Sequence, residues 1–157
     1  CYYYLAPGPS RDQTMTSQAI IAVNEFMSRY PDSKQVENFK SINEELTQRL
    51  HDKAYLNAYT YYKIGKYNSA IVALKNALKK YPESTHREEI MYLIVDASYR
   101  YASNSIEEKQ TDRYLSMLDS YLSFKEEFPE SKHIRELERM AKHAKDYLDR
   151  NKKDNNI

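Results

Sequence analysis

The chain has 157 residues, which suits one domain, and its 24 basic and 23 acidic residues leave a formal net charge of +1. This balance argues against nucleic-acid binding, which usually needs a basic surface, and two glycines are too few for a turn-rich β fold. No run of 18 apolar residues is present, so the sequence predicts no transmembrane helix. It has no charged segment followed by an apolar run, so it predicts no remaining signal peptide.

The single cysteine, Cys1, excludes a disulfide within the chain. A mature bacterial lipoprotein begins with a lipidated cysteine, which is normally followed by a flexible polar tether. Here the next residues are Tyr2-Tyr3-Tyr4-Leu5, a sequence typical of the last turn of a packed helix. We therefore expect Cys1 to be an ordinary residue and any lipidated cysteine to lie upstream of it.

Apolar residues recur at helical spacing along the whole chain. The segment 33–64 contains no glycine or proline and would be about 48 Å long as one helix. A break near His51 is the alternative. The predicted helices are 1–5, 16–30, 33–64, 68–81, 86–103, 108–128 and 131–150. A polar tail follows them at 151–157.

One short motif occurs three times, as Tyr30-Pro31-Asp32-Ser33, Tyr81-Pro82-Glu83-Ser84 and Phe128-Pro129-Glu130-Ser131. Each copy ends one helical stretch and opens the next. Self-similarity at a fixed period, here about 50 residues, is typical of stacked helical repeats. Such a solenoid favours a binding surface over a catalytic pocket.

Residues 54–82 resemble a tetratricopeptide (TPR) repeat. The residues assigned to repeat packing are Tyr61 in the first helix, Gly65 and Tyr67 at the turn, Ala70, Leu74 and Ala77 in the second helix, and Pro82 after it. Ala19, Pro31 and Pro129 are assigned to the same role in the other copies. The predicted fold is all-α: a right-handed superhelix of TPR-type helix-turn-helix repeats with a C-terminal capping helix.

The solenoid is predicted to cover 1–150. It comprises a partial repeat at 1–31, repeats at 33–82 and 84–129, and the capping helix at 131–150. The third copy has about nine extra residues, around 103–111, which we expect to lie between its two helices. Solenoids usually contain three or more repeats, so the sequence indicates part of a longer protein.

The order of these features is similar to the C-terminal half of the BamD-like (YfiO) family of TPR lipoproteins. The resemblance rests on Ser10-Arg11-Asp12, the Tyr-Pro-Asp-Ser motif, the long charged helix, the stretch Ala58 to Tyr67, then Ala70-Ile71 and Tyr-Pro-Glu-Ser. It covers most of residues 1–148. Ile64 departs from the family pattern, in which many relatives carry a basic residue before the glycine.

This resemblance implies a scaffold of the outer-membrane β-barrel assembly machinery. Its location would be the periplasmic face of the outer membrane, held there by an N-terminal lipid. The implied partners are the central barrel-inserting subunit with its POTRA domains, the other lipoproteins of the complex, and unfolded outer-membrane proteins. No nucleic acid is expected among them.

The candidate docking residues lie on the first helix of the 54–82 repeat and at its turn. Tyr55, Tyr59 and Tyr62 recur at spacings of four and three and so share one face. Lys63 and Lys66 lie beside them and could attract an acidic partner. The alternative is that the tyrosines pack against neighbouring helices and the lysines are simply solvated.

Catalysis and metal binding find little support in the residues. The four histidines lack metal-ligand spacing, and the glutamate pairs have the pattern of solvated helix faces. The sequence therefore predicts no enzyme, no metal and no cofactor. Two other functions stay open, a different periplasmic TPR adaptor and a helical accessory domain of an enzyme whose active site lies outside this chain.

Overall fold

The computed structural model describes residues 2–154, with side chains as far as residue 151. The expectation for Cys1 therefore lies outside the described residues. Within them the chain is all-helical, consistent with a TPR-like helical repeat. The helices are α1 (Tyr2–Leu5), α2 (Thr14–Arg29), α3 (Val36–Lys63), α4 (Tyr67–Lys80), α5 (Arg87–Ser103), α6 (Glu107–Glu127) and α7 (Ile134–Asp154).

The chain divides into two compact units, one ending at Asn57 and the other beginning at Ala58. The division falls within α3 and inside the predicted repeat 33–82. α3 itself is one helix of 28 residues, so the alternative of a break near His51 is wrong. No glycine or proline interrupts this segment, and nothing in its backbone forces an end before Gly65.

The first unit contains α1, α2 and the first part of α3. Phe26 of α2 packs against Phe39 of α3, with 4.5 Å between ring centroids. The chain around α1 is held by polar contacts to α3, since the Tyr3 hydroxyl donates to Glu45 at 2.9 Å and Arg49 donates to the Ala6 carbonyl at 2.8 Å. The buried residues of this unit are Thr16, Ala19, Val23 and Leu46.

The three copies of the aromatic-Pro-x-Ser motif adopt the same backbone geometry. The aromatic residue ends its helix with φ between −133° and −128° and ψ between 61° and 71°. Proline disfavours helical geometry at the residue before it, which explains why each helix ends there. In every copy the serine N–H donates to the carbonyl of the aromatic residue, through the pairs Ser33–Tyr30, Ser84–Tyr81 and Ser131–Phe128.

The serine side chain of each motif then starts the next helix. Its Oγ accepts a hydrogen bond from the backbone N–H two residues further on, at 3.3 Å for Ser33, 3.2 Å for Ser84 and 3.1 Å for Ser131. Serine is well suited to this local bond. The regular helices therefore begin at Val36, Arg87 and Ile134, three residues after these serines, whereas the predicted starts were residues 33, 86 and 131.

α5 is the central helix of the second unit and packs against α4, α6 and α7. In α4, the residues Ala70, Leu74 and Ala77 are buried, and the small alanines let the neighbouring helix approach closely. The main core cluster lies between α5, α6 and α7. Its buried members are Met91, Val95, Ala102, Tyr114, Met117, Tyr121, Phe124, Leu137, Ala141, Ala144 and Leu148.

Tyr61 corrects one assignment made from the sequence. Its side chain is 45% exposed, so it is not the first-helix aromatic that packs in the repeat. The next residue, Tyr62, is the one that packs inward and contacts α5 through Asp96. The TPR pattern places an aromatic residue in this turn of the helix, where the chain has two adjacent tyrosines. The spacing of the pattern pointed to Tyr61, whereas Tyr62 is the one that packs inward.

The extra residues around 103–111 do not form a long interhelical loop. α5 ends at Ser103 and α6 begins at Glu107, so only residues 104–106 connect them. The added length extends α6, which has 21 residues, against 14 in α4. The short connection is held by Arg113, whose guanidinium lies 3.8 Å from the Tyr101 ring centroid and donates to Ser105 Oγ.

α7 begins at Ile134 and continues to Asp154, beyond its predicted end at residue 150. No glycine or proline lies between Ile134 and Asp154, so nothing in the backbone ends the helix earlier. The remainder of the predicted polar tail, residues 155–157, lies outside the described residues.

Arg87 joins the start of α5 to the end of α6 and lowers the pKa of Glu127 through its hydrogen bonds. Its Nε donates to Glu127 Oε1, and its Nη2 donates to Oε2 at 2.9 Å. We expect the Glu127 carboxyl to titrate below its ordinary value of 4.5 and the pKa to rise in an Arg87→Gln variant. Carboxyl ¹³C chemical shifts followed against pH measure the pKa of Glu127 in the wild type and in the variant.

The effect on stability follows from the direction of this pKa shift. Because the folded state binds the Glu127 proton less tightly, the contribution is present above pH 4.5 and is lost as pH falls through the folded pKa. The pair is about one third exposed, so the contribution is small. A Lys109→Gln control on α6, about 27 Å away along the helix, should leave the Glu127 titration unchanged. An equal change in both variants would contradict the assignment.

Candidate partner-docking site

The turn between α3 and α4 is built around Gly65, which has φ +73°. The Gly65 N–H donates to the Tyr62 carbonyl at 3.0 Å, and the Lys66 N–H donates to the Tyr61 carbonyl at 2.9 Å. These two bonds form a Schellman motif, in which the residue after the helix adopts a left-handed conformation that favours glycine. Lys63 is the last residue of α3, and Lys66 follows the turn as the N-cap of α4.

Aromatic rings surround this turn. The rings of Tyr59 and Tyr62 are stacked, with centroids 6.0 Å apart and an interplanar angle of 15°. Tyr67, in the first turn of α4, meets the Tyr62 ring edge-on at 6.0 Å. Lys63 Nζ lies 5.9 Å from the centroid of Tyr59. We call Tyr59, Tyr62, Lys63, Lys66 and Tyr67 the turn surface; both lysines are exposed and the three tyrosines are half-buried.

A buried carboxylate lies beneath the turn surface. Asp96 of α5 is fully buried among apolar neighbours in its helix. Its Oδ2 accepts a hydrogen bond from the Tyr62 hydroxyl at 2.5 Å and another from Arg100 Nε at 2.6 Å. A buried charge is costly unless it is paired and hydrogen-bonded, and these two donors supply part of that compensation, both at Oδ2. The Tyr62 hydroxyl is therefore engaged in a hydrogen bond within the protein.

The pKa of two groups reflects this network. Burial, followed by the hydrogen bond to Asp96, raises the pKa of Tyr62 well above its ordinary range. The hydrogen bond to Asp96 also raises the pKa of Arg100. Tyr62 is therefore a protonated donor and Arg100 a cation near neutral pH. Tyr92, which lies nearby on α5, has its pKa raised to about 12, mainly by burial and then by Glu136.

Four of the five candidate docking residues belong to the second unit. Tyr59, Tyr62 and Lys63 are joined by ring contacts, and Lys66 lies at the turn that follows. Tyr55 belongs to the first unit, where its side chain is half-buried. Tyr62 holds Asp96 in place, so its part in a docking surface is limited to the accessible part of its ring.

Asp96 and Arg100 were not among the site residues predicted from the sequence. The signal that could have found them is a single acid inside the otherwise apolar run 93–97, with an arginine four residues later. An acid that precedes a base by four residues on a helix is well placed to pair with it.

The described residues contain neither a membrane-spanning helix nor a cluster of metal ligands. None of their helices is long and apolar enough to cross a membrane. Within the same range, no three or more histidine, cysteine, aspartate or glutamate side chains converge as metal ligands would.

Comparison with known families matches more than half of the chain. A model of the YfiO family, described as outer membrane lipoprotein, matches residues 45–153. The chain belongs to this family. The match includes the turn surface, Asp96, Arg100, the helices α4 to α6 and all but the last residue of α7, so the candidate docking site lies inside the part of the chain that carries the family pattern.

The chain is also similar to the outer membrane protein assembly factor BamD of Caulobacter vibrioides. The two are 25% identical over 97 residues, which make up 62% of this chain and 32% of that protein. The matched region thus spans about a third of the length of this relative.

Proposed function

We propose that this member of the YfiO family is a non-catalytic scaffold of the outer-membrane β-barrel assembly machinery. It docks on a POTRA domain of the central barrel-inserting subunit, beside the other lipoproteins of the complex. A lipid attached upstream of residue 1 holds it at the periplasmic face of the outer membrane. Unfolded outer-membrane proteins are further candidate ligands of the whole protein.

The observation that carries this proposal is the family match over residues 45–153. Within that region, the turn surface offers partly accessible tyrosine rings, a residue type enriched in protein interfaces, beside exposed lysines. Tyrosine rings supply contact area with little loss of conformational entropy, and the lysines attract an acidic partner over a longer range. The relative from Caulobacter vibrioides is named as an assembly factor, which supports a role in assembly.

Reversing the charge of both lysines should weaken docking. In the full-length lipidated protein, Lys63→Glu/Lys66→Glu is expected to reduce recovery of the barrel-inserting subunit from native outer membranes by about tenfold, because like charges then face an acidic partner. Affinity purification followed by quantitative mass spectrometry measures this recovery. Helical content of the variant, measured by circular dichroism, should match that of the wild type.

A matched control exists on α7. Lys142 and Lys145 are also exposed and three residues apart, so Lys142→Glu/Lys145→Glu makes the same change in net charge elsewhere in the second unit. Recovery should be unchanged in that control. Recovery of a different complex by the wild-type protein, without the barrel-inserting subunit, would show that the proposed function is wrong. Equal recovery by all three proteins would instead show that docking does not use the turn surface.

A further inference from the structure

Arg100 has a second set of hydrogen-bond donors that the fold does not use. Its Nε–H is bonded to buried Asp96, and its side chain is 46% exposed. Among the described residues, its Nη groups donate to no protein acceptor within hydrogen-bond distance. A guanidinium presents five N–H donors in a rigid plane and can bind a carboxylate through two parallel bonds. Arg100 is thus anchored on one edge and still able to bind an anion on the other.

The anchoring reduces the conformational cost of such binding. A free arginine side chain loses much rotamer entropy when it is immobilised. Here the carboxylate of Asp96 already fixes the guanidinium, and Asp96 in turn is held by Tyr62. Asp96 is fully buried, so a partner cannot reach it and displace the internal bond. Preorganised groups of this kind give more binding free energy for the same contact.

Arg100 lies next to the turn surface. Tyr62 donates to the same Asp96 oxygen as Arg100 does, and its ring contacts both Tyr59 and Tyr67. Asp96 cancels much of the long-range attraction of Arg100, because the two opposite charges are in direct contact. Lys63 and Lys66 are exposed cations without that compensation. The lysines can therefore attract an acidic partner from a distance, while Arg100 binds one carboxylate at close range.

We propose that Arg100 is an anion-recognition residue that binds the carboxylate of an aspartate or glutamate in an acidic segment of a protein partner, with Asp96 as its positioning residue. The tyrosine rings beside it favour a polypeptide, because they offer packing area that a small inorganic anion cannot use. This inference rests on the proposed function only for the identity of the partner. The recognition of a carboxylate rests on the geometry of Arg100.

The test uses two short peptides, one with two glutamates between glycines and one with glutamines in their place. Each is titrated into the protein while the ¹⁵N-detected Nε and Nη signals of Arg100 are followed by nuclear magnetic resonance. We expect a saturable shift of the Arg100 signals with the glutamate peptide and none with the glutamine peptide. No shift, or equal shifts with both peptides, would overturn the proposal without any need for a variant.

Two variants separate the roles of the cations. Arg100→Lys keeps the charge and an ion pair with Asp96, but its single ammonium cannot also bind a second carboxylate bidentately. It should weaken binding of the glutamate peptide about tenfold, mainly through faster dissociation in a line-shape analysis. Lys63→Gln/Lys66→Gln should mainly slow association and reduce its dependence on salt. Unchanged affinity in Arg100→Lys would overturn the proposal.

A titration with inorganic phosphate tests whether Arg100 binds a small inorganic anion rather than a protein carboxylate. Phosphate that shifts the Arg100 signals at lower concentration than the glutamate peptide does would overturn the assignment to a protein carboxylate. These outcomes are independent of the outer-membrane purification. Arg100-dependent binding of the glutamate peptide, together with failure to recover the barrel-inserting subunit, would uphold the carboxylate site and reject the proposed partner.

Discussion

Replacing Arg100 with methionine is expected to lower the free energy of unfolding by about 3 kcal/mol. The substitution removes the only cation bonded to Asp96 among the described residues. Asp96 is fully buried, so its carboxylate would keep only the hydrogen bond from Tyr62. Urea unfolding followed by circular dichroism measures the global change, and hydrogen exchange of the α5 amides measures the local one.

Two further variants test the physical reason for this loss. Asp96→Asn/Arg100→Met leaves no uncompensated charge and retains the shape of the Asp96 side chain, so we expect it to recover at least half of the lost stability. Arg100→Lys retains a cation near Asp96 and should cost clearly less than Arg100→Met. A double variant as unstable as Arg100→Met alone would show that lost packing of the arginine stem, rather than the buried charge, causes the effect.

The course of the helices could be predicted from the sequence because the backbone itself determines their ends. Proline restricts the residue before it, and Gly65 takes a left-handed conformation that other residues rarely adopt. These constraints are local, so they can be recognised without knowledge of the tertiary structure. The same reasoning accounts for the long α3, in which no such residue interrupts the segment from 33 to 64.

The candidate site could be predicted only in part, because its central contacts join residues distant in sequence. Tyr62 and Asp96 are 34 positions apart, and helical periodicity alone does not show which of Tyr61 and Tyr62 faces α5. The extra residues near 103–111 were misplaced for a related reason. Their polar composition suits a loop as well as the exposed side of a helix, and the short connection depends on contacts of Arg113 with Tyr101 and Ser105.

A leucine-to-alanine pair gives the second large expected effect. Leu137 of α7 is fully buried in the core cluster, whereas Leu122 of α6 is 57% exposed. Leu137→Ala should destabilise the protein by about 3 kcal/mol, since removing a buried leucine side chain loses its transfer free energy and leaves a cavity. Leu122→Ala makes the same chemical change at the surface and should alter the free energy of unfolding by less than about 0.5 kcal/mol.

This comparison also tests whether α7 acts as the capping helix of the repeats. α7 packs against both α5 and α6, through a narrow stripe formed by Leu137, Ala141, Ala144 and Leu148. In a solenoid, stability depends on the contact between neighbouring elements. Leu137→Ala should therefore increase hydrogen exchange in α5 and α6 as well as in α7. An increase confined to α7, with α5 and α6 still protected, would show that this helix is attached to the solenoid without stabilising it.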